Sequence, residues 1–268
     1  MPRIALIGAG EMAREIGTRL MRYGGVSPED ILASHYRPEK GAAFERATGI
    51  KVVLDNAIAA SHSDVIVLCV RPQQVRTTLR PMVPLLRDPS RSLVSIAVGI
   101  RVATLAKWAG STQVVHFHPT SLLMATELYN PGVSLWVRHP AIDSIKAEAL
   151  RKLFETAIGE IWEVPERQLP KYIFLTGNCP ALLLRTLAAF VAASGVRARA
   201  RDLYAPIVQS LYSGLVVEGR SPLEIIKRIA TPRGVTEAGL RVLEKRYRID
   251  ALARELRRAC TQRLRGFS

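Results

Sequence analysis

The sequence predicts an α/β protein: a doubly wound, mostly parallel sheet followed by an all-α domain. Three observations carry this. Up to Val164, short β-rich runs alternate with amphipathic helical stretches, which implies parallel strands whose connecting helices cover both faces. The first of these runs enters a glycine turn that opens a helix. After Pro165 the strand pattern stops and the rest reads as helices.

Taken in order, strands are expected at Arg3–Ile7, Ile31–Ser34, Lys51–Val53, Val65–Val70, Ser92–Ala97 and Gln113–His118. The helices between them start near Glu11, Glu39, Asn56, Pro72 and Val102. A further strand, Val133–Val137, leads to the helix Ala141–Ala157 and then to Glu160–Val164, an edge appended to the wound sheet. The helical half comprises Leu169–Ala193, Arg199–Glu218, Pro222–Ile229, Val235–Lys245 and Ile249–Leu264. Gly195, Gly219, Pro222, Pro232 and Gly234 punctuate it. The boundary falls at 163–168, dividing residues 1–164 from 165–268. Repeats and low-complexity segments are absent. A helical domain this small, with apolar runs such as Ala181–Ala193, is expected to hide surface against a second copy.

Residues 4–13 read Ile-Ala-Leu-Ile-Gly-Ala-Gly-Glu-Met-Ala. Gly8 suits the tight turn, Gly10 lets a pyrophosphate approach the backbone, and Ala13 lets helix and strand pack closely. The helix opening at Glu11 and Met12 aims its N-terminal N–H groups and positive dipole end at that phosphate. A glycine triplet alone is a weak signal, but strand before and helix after are the context the motif requires. The first domain is therefore expected to be a Rossmann-type dinucleotide-binding domain.

Composition bounds the rest. A chain of 268 residues, 48% hydrophobic, holds one nucleotide domain and a smaller partner. Apolar runs are broken by Arg or Asp short of the ~20 residues a membrane helix needs. The N-terminus lacks the pattern of a secretion signal. Cys69, Cys179 and Cys260 are odd in number and widely spaced, as expected of reduced thiols in a cytoplasm. The formal charge of +15 raises nucleic-acid binding as a reading. However, the basic residues are spread along the chain without interleaved aromatics, so a basic surface that attracts an anionic cofactor and an acidic substrate is preferred.

NAD-specific domains end their second strand on an acidic residue that holds the ribose hydroxyls. Here that strand ends Ala33-Ser34-His35-Tyr36-Arg37, and Lys40 follows. Hydroxyls and a cation suit a 2′-phosphate, for which Arg offers a planar fork of donors. NADPH is expected in preference to NADH, with Ser34, Tyr36 and Arg37 near the adenosine end. In the helical half, Thr176-Gly-Asn-Cys-Pro-Ala181 and Ala230-Thr-Pro-Arg-Gly-Val-Thr236 read as polar turns at helix starts. Their free N–H groups and hydroxyls suit a carboxylate, although helix caps look the same.

The order of these segments resembles pyrroline-5-carboxylate reductase over nearly the whole chain. The landmarks are Gly8-Ala-Gly-Glu-Met12, Asp64-Val-Ile-Val-Leu-Cys-Val-Arg-Pro-Gln73, Ser95-Ile-Ala-Val-Gly-Ile100 with Leu105-Ala-Lys-Trp108, and Gly159-Glu-Ile-Trp-Glu-Val164. The resemblance implies a nucleotide domain, a helical dimerisation domain with interleaved protomers, and hydride transfer to a cyclic imine bearing a carboxylate. It implies Asn56 near the adenosine ribose, and Val70-Arg71-Pro72 and Ala97 on the nicotinamide side. It also implies Thr176, Asn178 and Cys179 at the substrate carboxylate, with the turn of Thr231, Arg233 and Thr236 closing the pocket. Departures cluster on the substrate side. The family usually has Ser-Gly-Ser-Gly-Pro-Ala and Ser-Pro-Gly-Gly-Thr-Thr at the two turns, and Met-Pro-Asn-Thr-Pro where this chain has His118-Pro-Thr-Ser-Leu122.

Such a reduction needs an aligned hydride donor and a protonated or hydrogen-bonded imine nitrogen. Lys171, near the start of the long helix, is a candidate proton donor if desolvated. Arg185, in an apolar helix, is a candidate bidentate clamp for the carboxylate. His118 stands near the nicotinamide loop, with His116 on the same strand face. No carboxylate or thiol completes a metal site around them. The leading expectation is NADPH-dependent reduction of 1-pyrroline-5-carboxylate to proline by a cytoplasmic homodimer or larger homo-oligomer. Reduction of a different cyclic imine, or a catalytically inactive dinucleotide-binding regulator, remain as alternatives.

Overall fold

The computed structural model describes residues 1–120, 133–195, 202, 204–230 and 234–265. Chain contacts divide it into two compact units. The first takes Met1–Gly177 and the chain end from Thr261, the second Asn178–Cys260.

The first unit holds a sheet of eight strands among the described residues: β1 (Ile4–Ile7), β2 (Ile31–Ser34), β3 (Lys51–Val53), β4 (Val65–Leu68), β5 (Ser92–Ser95), β6 (Val114–His118), β7 (Ser134–Arg138) and β8 (Ile161–Glu163). Their order is β3-β2-β1-β4-β5-β6-β7-β8. Every pair is parallel except β6 with β7, which run antiparallel with His116 opposite Val137 and His118 opposite Leu135. The reversal of chain order at β1 is the switch point of a doubly wound sheet, whose carboxyl end is the ligand side.

Strands β1, β4 and β5 are apolar with few exceptions and fully buried, as parallel strands covered on both faces must be. On one face lie α1 (Glu11–Arg22), α2 (Pro38–Thr48) and, later in the chain, the helix Ser144–Ile158. There Phe117, Trp136 and Phe154 meet with ring centroids 5.0 to 6.2 Å apart, each burial worth about 2–3 kcal/mol. The other face carries α3 (Asn56–Ser61), α4 (Val75–Leu79), α5 (Val83–Leu86) and α6 (Val102–Ala109). With the Ser144–Ile158 helix as α7, α8 (Leu169–Ile173) returns to this second face through Leu169 and Ile173. Glu166 accepts a hydrogen bond from the Val102 N–H and so caps α6.

The stretch after Pro72, expected as one helix, is broken into short α and 3-10 turns, because Pro81 and Pro84 each remove a helix donor. The run from Glu166 to Ala193 forms a continuous helical passage of 28 residues, with a π-helical turn at Phe174–Asn178 between α8 and α9 (Cys179–Ala193). By length and composition alone that passage could cross a membrane, which corrects the expectation that no segment reaches that length. Lys171 and Arg185 interrupt the apolar run without interrupting the helix.

The second unit continues with α10 (Tyr204–Tyr212), α11 (Pro222–Ile229), α12 (Val235–Arg241) and α13 (Ile249–Arg265), the last running on into the first unit. A full capping box starts α11, with Ser221 Oγ accepting from the Glu224 N–H and Glu224 accepting from the Ser221 N–H. Among its described residues only Val191 is a buried apolar side chain. Leu183, Phe190, Val216 and Val217 are more than half exposed.

The expected boundary at 164/165 and the division at Gly177 differ because α8 packs on the sheet through Leu169 and Ile173.

Candidate functional site

The turn after β1 is built as the motif requires. Gly8 has φ of +101°, and a Cβ there would stand 2.9 Å from Val70 Cγ1 and 3.0 Å from the Cys69 carbonyl oxygen. Its N–H and that of Ala9 both donate to the Ser34 carbonyl at 3.1 Å, holding the turn against the end of β2. Gly10 is the N-cap of α1 and offers no side-chain cap to the helix N–H groups. Space within 4 Å of its missing Cβ is empty. Uncapped donors, a dipole end and an empty cradle together fit a pyrophosphate. Glu11 is exposed in the first turn, while Met12 packs partly into the core.

Three strands of chain converge beside this turn. Ser34 Oγ donates to Asn56 Oδ1 at 2.8 Å, joining two residues that sequence singled out separately. Beyond them His35 stacks on Tyr36 at 5.0 Å, and the Arg37 guanidinium lies 5.2 Å from the Tyr36 ring. Tyr36 is exposed, so aromatic face and cation form an open platform at the end of β2. Arg37 occupies the N-cap position of α2 without a side-chain cap, and no carboxylate occupies residues 34–37.

Next along the sheet, Val70-Arg71-Pro72 leaves β4 sooner than expected, since Cys69 and Val70 must pass beneath Gly8. Burial pushes the Cys69 thiol up to about 12. Ala97 is buried where the chain leaves β5, its N–H donating to Ser95 Oγ. His118 ends β6. Gly8, Val70, Ala97 and His118 thus follow strands β1, β4, β5 and β6, neighbours in the sheet, at the carboxyl end of each.

The substrate-side expectations fare differently. Lys171 is exposed while Leu169 and Ile173 turn to the sheet, so it lacks the desolvation expected of a proton donor. The stretch from Thr176 is not a turn with free N–H groups. It is the π-helical passage into α9, and the Thr176 hydroxyl donates to the Tyr172 carbonyl at 2.9 Å. Pro180 explains the irregularity, because a proline near the start of α9 cannot supply a donor to the turn before it. Asn178 and Cys179 are half-buried at the head of α9, and burial with Cys260 nearby pushes the Cys179 thiol up. Arg185 and Thr236 are exposed. Thr231 and Arg233 lie outside the described residues. What sequence reading missed is Gly177: a Cβ there would stand 3.5 Å from His118 Nε2, and no motif announces that contact. Among the described residues no group of His, Cys, Asp and Glu could hold a metal.

Known proteins match both halves of the chain. Residues 3–99 match the family model described as NADP oxidoreductase coenzyme F420-dependent. Residues 166–266 match the model for pyrroline-5-carboxylate reductase dimerisation. The chain is 29% identical over 267 residues to the pyrroline-5-carboxylate reductase of Pseudomonas aeruginosa, covering 98% of this chain and 95% of that protein. The fold matches the pyrroline-5-carboxylate reductase structure from Coxiella burnetii with a TM-score of 0.83 and 24% identity, over 100% and 98% of the two chains. Identity to the pyrroline-5-carboxylate reductase of Pisum sativum is 30% over 246 residues, 90% of this chain and 88% of that protein. A likeness of that degree, running unbroken through the glycine cradle and the helical half alike, means that the chain belongs to the pyrroline-5-carboxylate reductase family.

Proposed function

We propose that this chain reduces the C=N bond of 1-pyrroline-5-carboxylate to give proline, with NADPH as hydride donor. One observation carries the reading: the likeness to the family spans nine-tenths of the chain and includes an intact nucleotide cradle. When bound, the nicotinamide supplies the hydride; the remaining work is positioning.

Gly8, Gly10, Glu11 and Met12 surround the pyrophosphate position. The Ser34–Asn56 pair and the Tyr36–Arg37 platform face the adenosine end, where Arg37 and the nearby Lys40 suit a 2′-phosphate. Val70, Arg71, Pro72, Ala97 and His118 line the nicotinamide end. For the substrate carboxylate we assign Thr176, Asn178, Cys179, Arg185 and Thr236, with Thr231 and Arg233 from the segment outside the described residues. Lys171 stays a lesser candidate because it is exposed.

The second unit's apolar side chains support a homodimer, since a helical domain with this little internal burial needs a partner to cover it. The same partner accounts for the apolar passage Glu166–Ala193 without a membrane. Three free thiols suit a reducing compartment such as the cytoplasm.

The test is NADPH consumption on a panel of five- and six-membered cyclic imines, with and without a carboxylate. Turnover highest on 1-pyrroline-5-carboxylate supports the proposal. A second reading, reduction of a different cyclic imine, draws on the Thr176 hydroxyl being engaged by Tyr172 and on Cys179 standing where the family usually has glycine. A six-membered ring as the best substrate favours it. NADPH binding without turnover on any imine would instead point to a regulator.

A further inference from the structure

Two imidazoles share one face of β6. Val115 and Phe117 belong to the core beneath α1 and α7, so His116 and His118, alternating with them, point to the opposite face. Their cross-strand partners Val137 and Leu135 belong to that second core, together with Ala97, Ile100, Leu169 and Ile173. His116 is 1% exposed, and neither of its ring nitrogens has a partner of hydrogen-bond geometry, the backbone of Ile100 being the polar group beside it. The His118 ring, half-buried, has no hydrogen-bond partner among the described residues. A buried polar group such as His116 is rarely left unpaired, because each unmade bond costs free energy.

His118 also sits where a substrate would need it. It ends β6 at the carboxyl side of the sheet, three strands from β1. At ~4.8 Å per strand that is about 14 Å from the phosphate turn, toward the nicotinamide end of a cofactor lying across the strand ends. A Cβ at Gly177 would lie 3.5 Å from Nε2, in ordinary van der Waals contact with the ring.

Resting on the cyclic-imine reading, we infer that His118 accepts a hydrogen bond from the ring N–H of the substrate and thereby selects the protonated imine. Burial pushes His118 down to about 4 and, with His118 adding to the effect, His116 down to about 3. Both rings are therefore neutral near pH 7, and a neutral imidazole keeps one bare nitrogen as an acceptor. The iminium N–H is the strongest donor a cyclic imine offers, and its positive charge strengthens the bond. Hydride addition at the ring carbon moves the C=N π pair onto nitrogen. The product is a neutral secondary amine that keeps its N–H, so no proton leaves His118.

Two saturated five-membered ring acids test this without turnover. L-Proline carries ring N–H groups, while tetrahydrofuran-2-carboxylate has oxygen there and the same carboxylate. Their affinities for the NADP-loaded protein are measured by calorimetry. The wild-type chain is expected to prefer proline by about tenfold or more, the worth of a hydrogen bond to a charged group. His118→Leu should bring the ratio to about one, and His118→Gln, which keeps an acceptor, should retain part of it. NADP binding confirms that each variant is folded. A ratio unchanged in His118→Leu overturns the assignment. So does a wild-type chain that reduces the imine yet binds both acids equally, and that outcome leaves the reductase reading standing. A wild-type chain that turns over no cyclic imine overturns both.

Discussion

Acidification from about pH 7.5 to about pH 5 should remove about 4 kcal/mol of folding free energy through His116 and His118 alone. In the unfolded chain a histidine takes up its proton near 6.5, whereas burial holds these two down to about 3 and about 4 in the folded protein. Across this window the unfolded state therefore binds more protons, and stability rises with pH. The contribution is fully present above 6.5 and is lost as pH falls toward the folded values. At pH 5 the unfolded histidine is protonated by about 30 to 1, worth about 2 kcal/mol for each ring, since one pKa unit is 1.36 kcal/mol. Carboxylates held low by hydrogen bonds and cations, among them Asp88 and Glu148, act in the same direction, but they take up protons mainly below this window. Urea unfolding at fixed protein concentration, followed by the fluorescence of buried Trp136, measures the loss. His116→Leu should remove about half of the pH dependence. A free energy that moves by less than about 1 kcal/mol between the two pH values, or a double His116→Leu, His118→Leu variant with the full dependence, would refute the reasoning.

Other outcomes follow from the same geometry. Gly8→Ala forces a Cβ to 2.9 Å from Val70 at positive φ, so it should cost about 1–3 kcal/mol and weaken NADPH binding more than tenfold; binding within twofold of wild type contradicts the cradle. Arg37→Ala leaves the platform without its cation and should lower the preference for NADPH over NADH by about tenfold, read from kcat/KM for each. An unchanged preference removes Arg37 from the phosphate site. Leu183→Glu or Phe190→Glu places a charge on an apolar face and should turn the proposed homodimer into monomer, measured by light scattering after gel filtration. A dimer that survives both points to another interface.

Much of the nucleotide half was legible because its signals are local. Strands β2 and β3 fall on the expected residues, Ile31–Ser34 and Lys51–Val53, since short apolar runs between turn residues need no distant information. The Gly8–Gly10 turn is readable for the same reason: φ of +101° at one position and an open N-cap at another are demands on single residues. The antiparallel seating of β7 against β6 was not legible, because an apolar strand carries no mark of its neighbour's direction.

Sequence by itself settled which segments form strands, where the glycine turn opens α1, and that the end of β2 is cationic rather than acidic. Only the tertiary structure decided that Ser34 and Asn56, 22 residues apart, share a hydrogen bond, and that the stretch from Thr176 is a helical passage with its hydroxyl already engaged. It also decided that Lys171 faces outward and that His116 lies shut from water on the same side of β6 as the half-buried His118. The reason is the range of the forces. Backbone preference and periodicity act over a few neighbouring residues and can be read along the chain, whereas burial and hydrogen bonding are set by groups that only the packed sheet brings together.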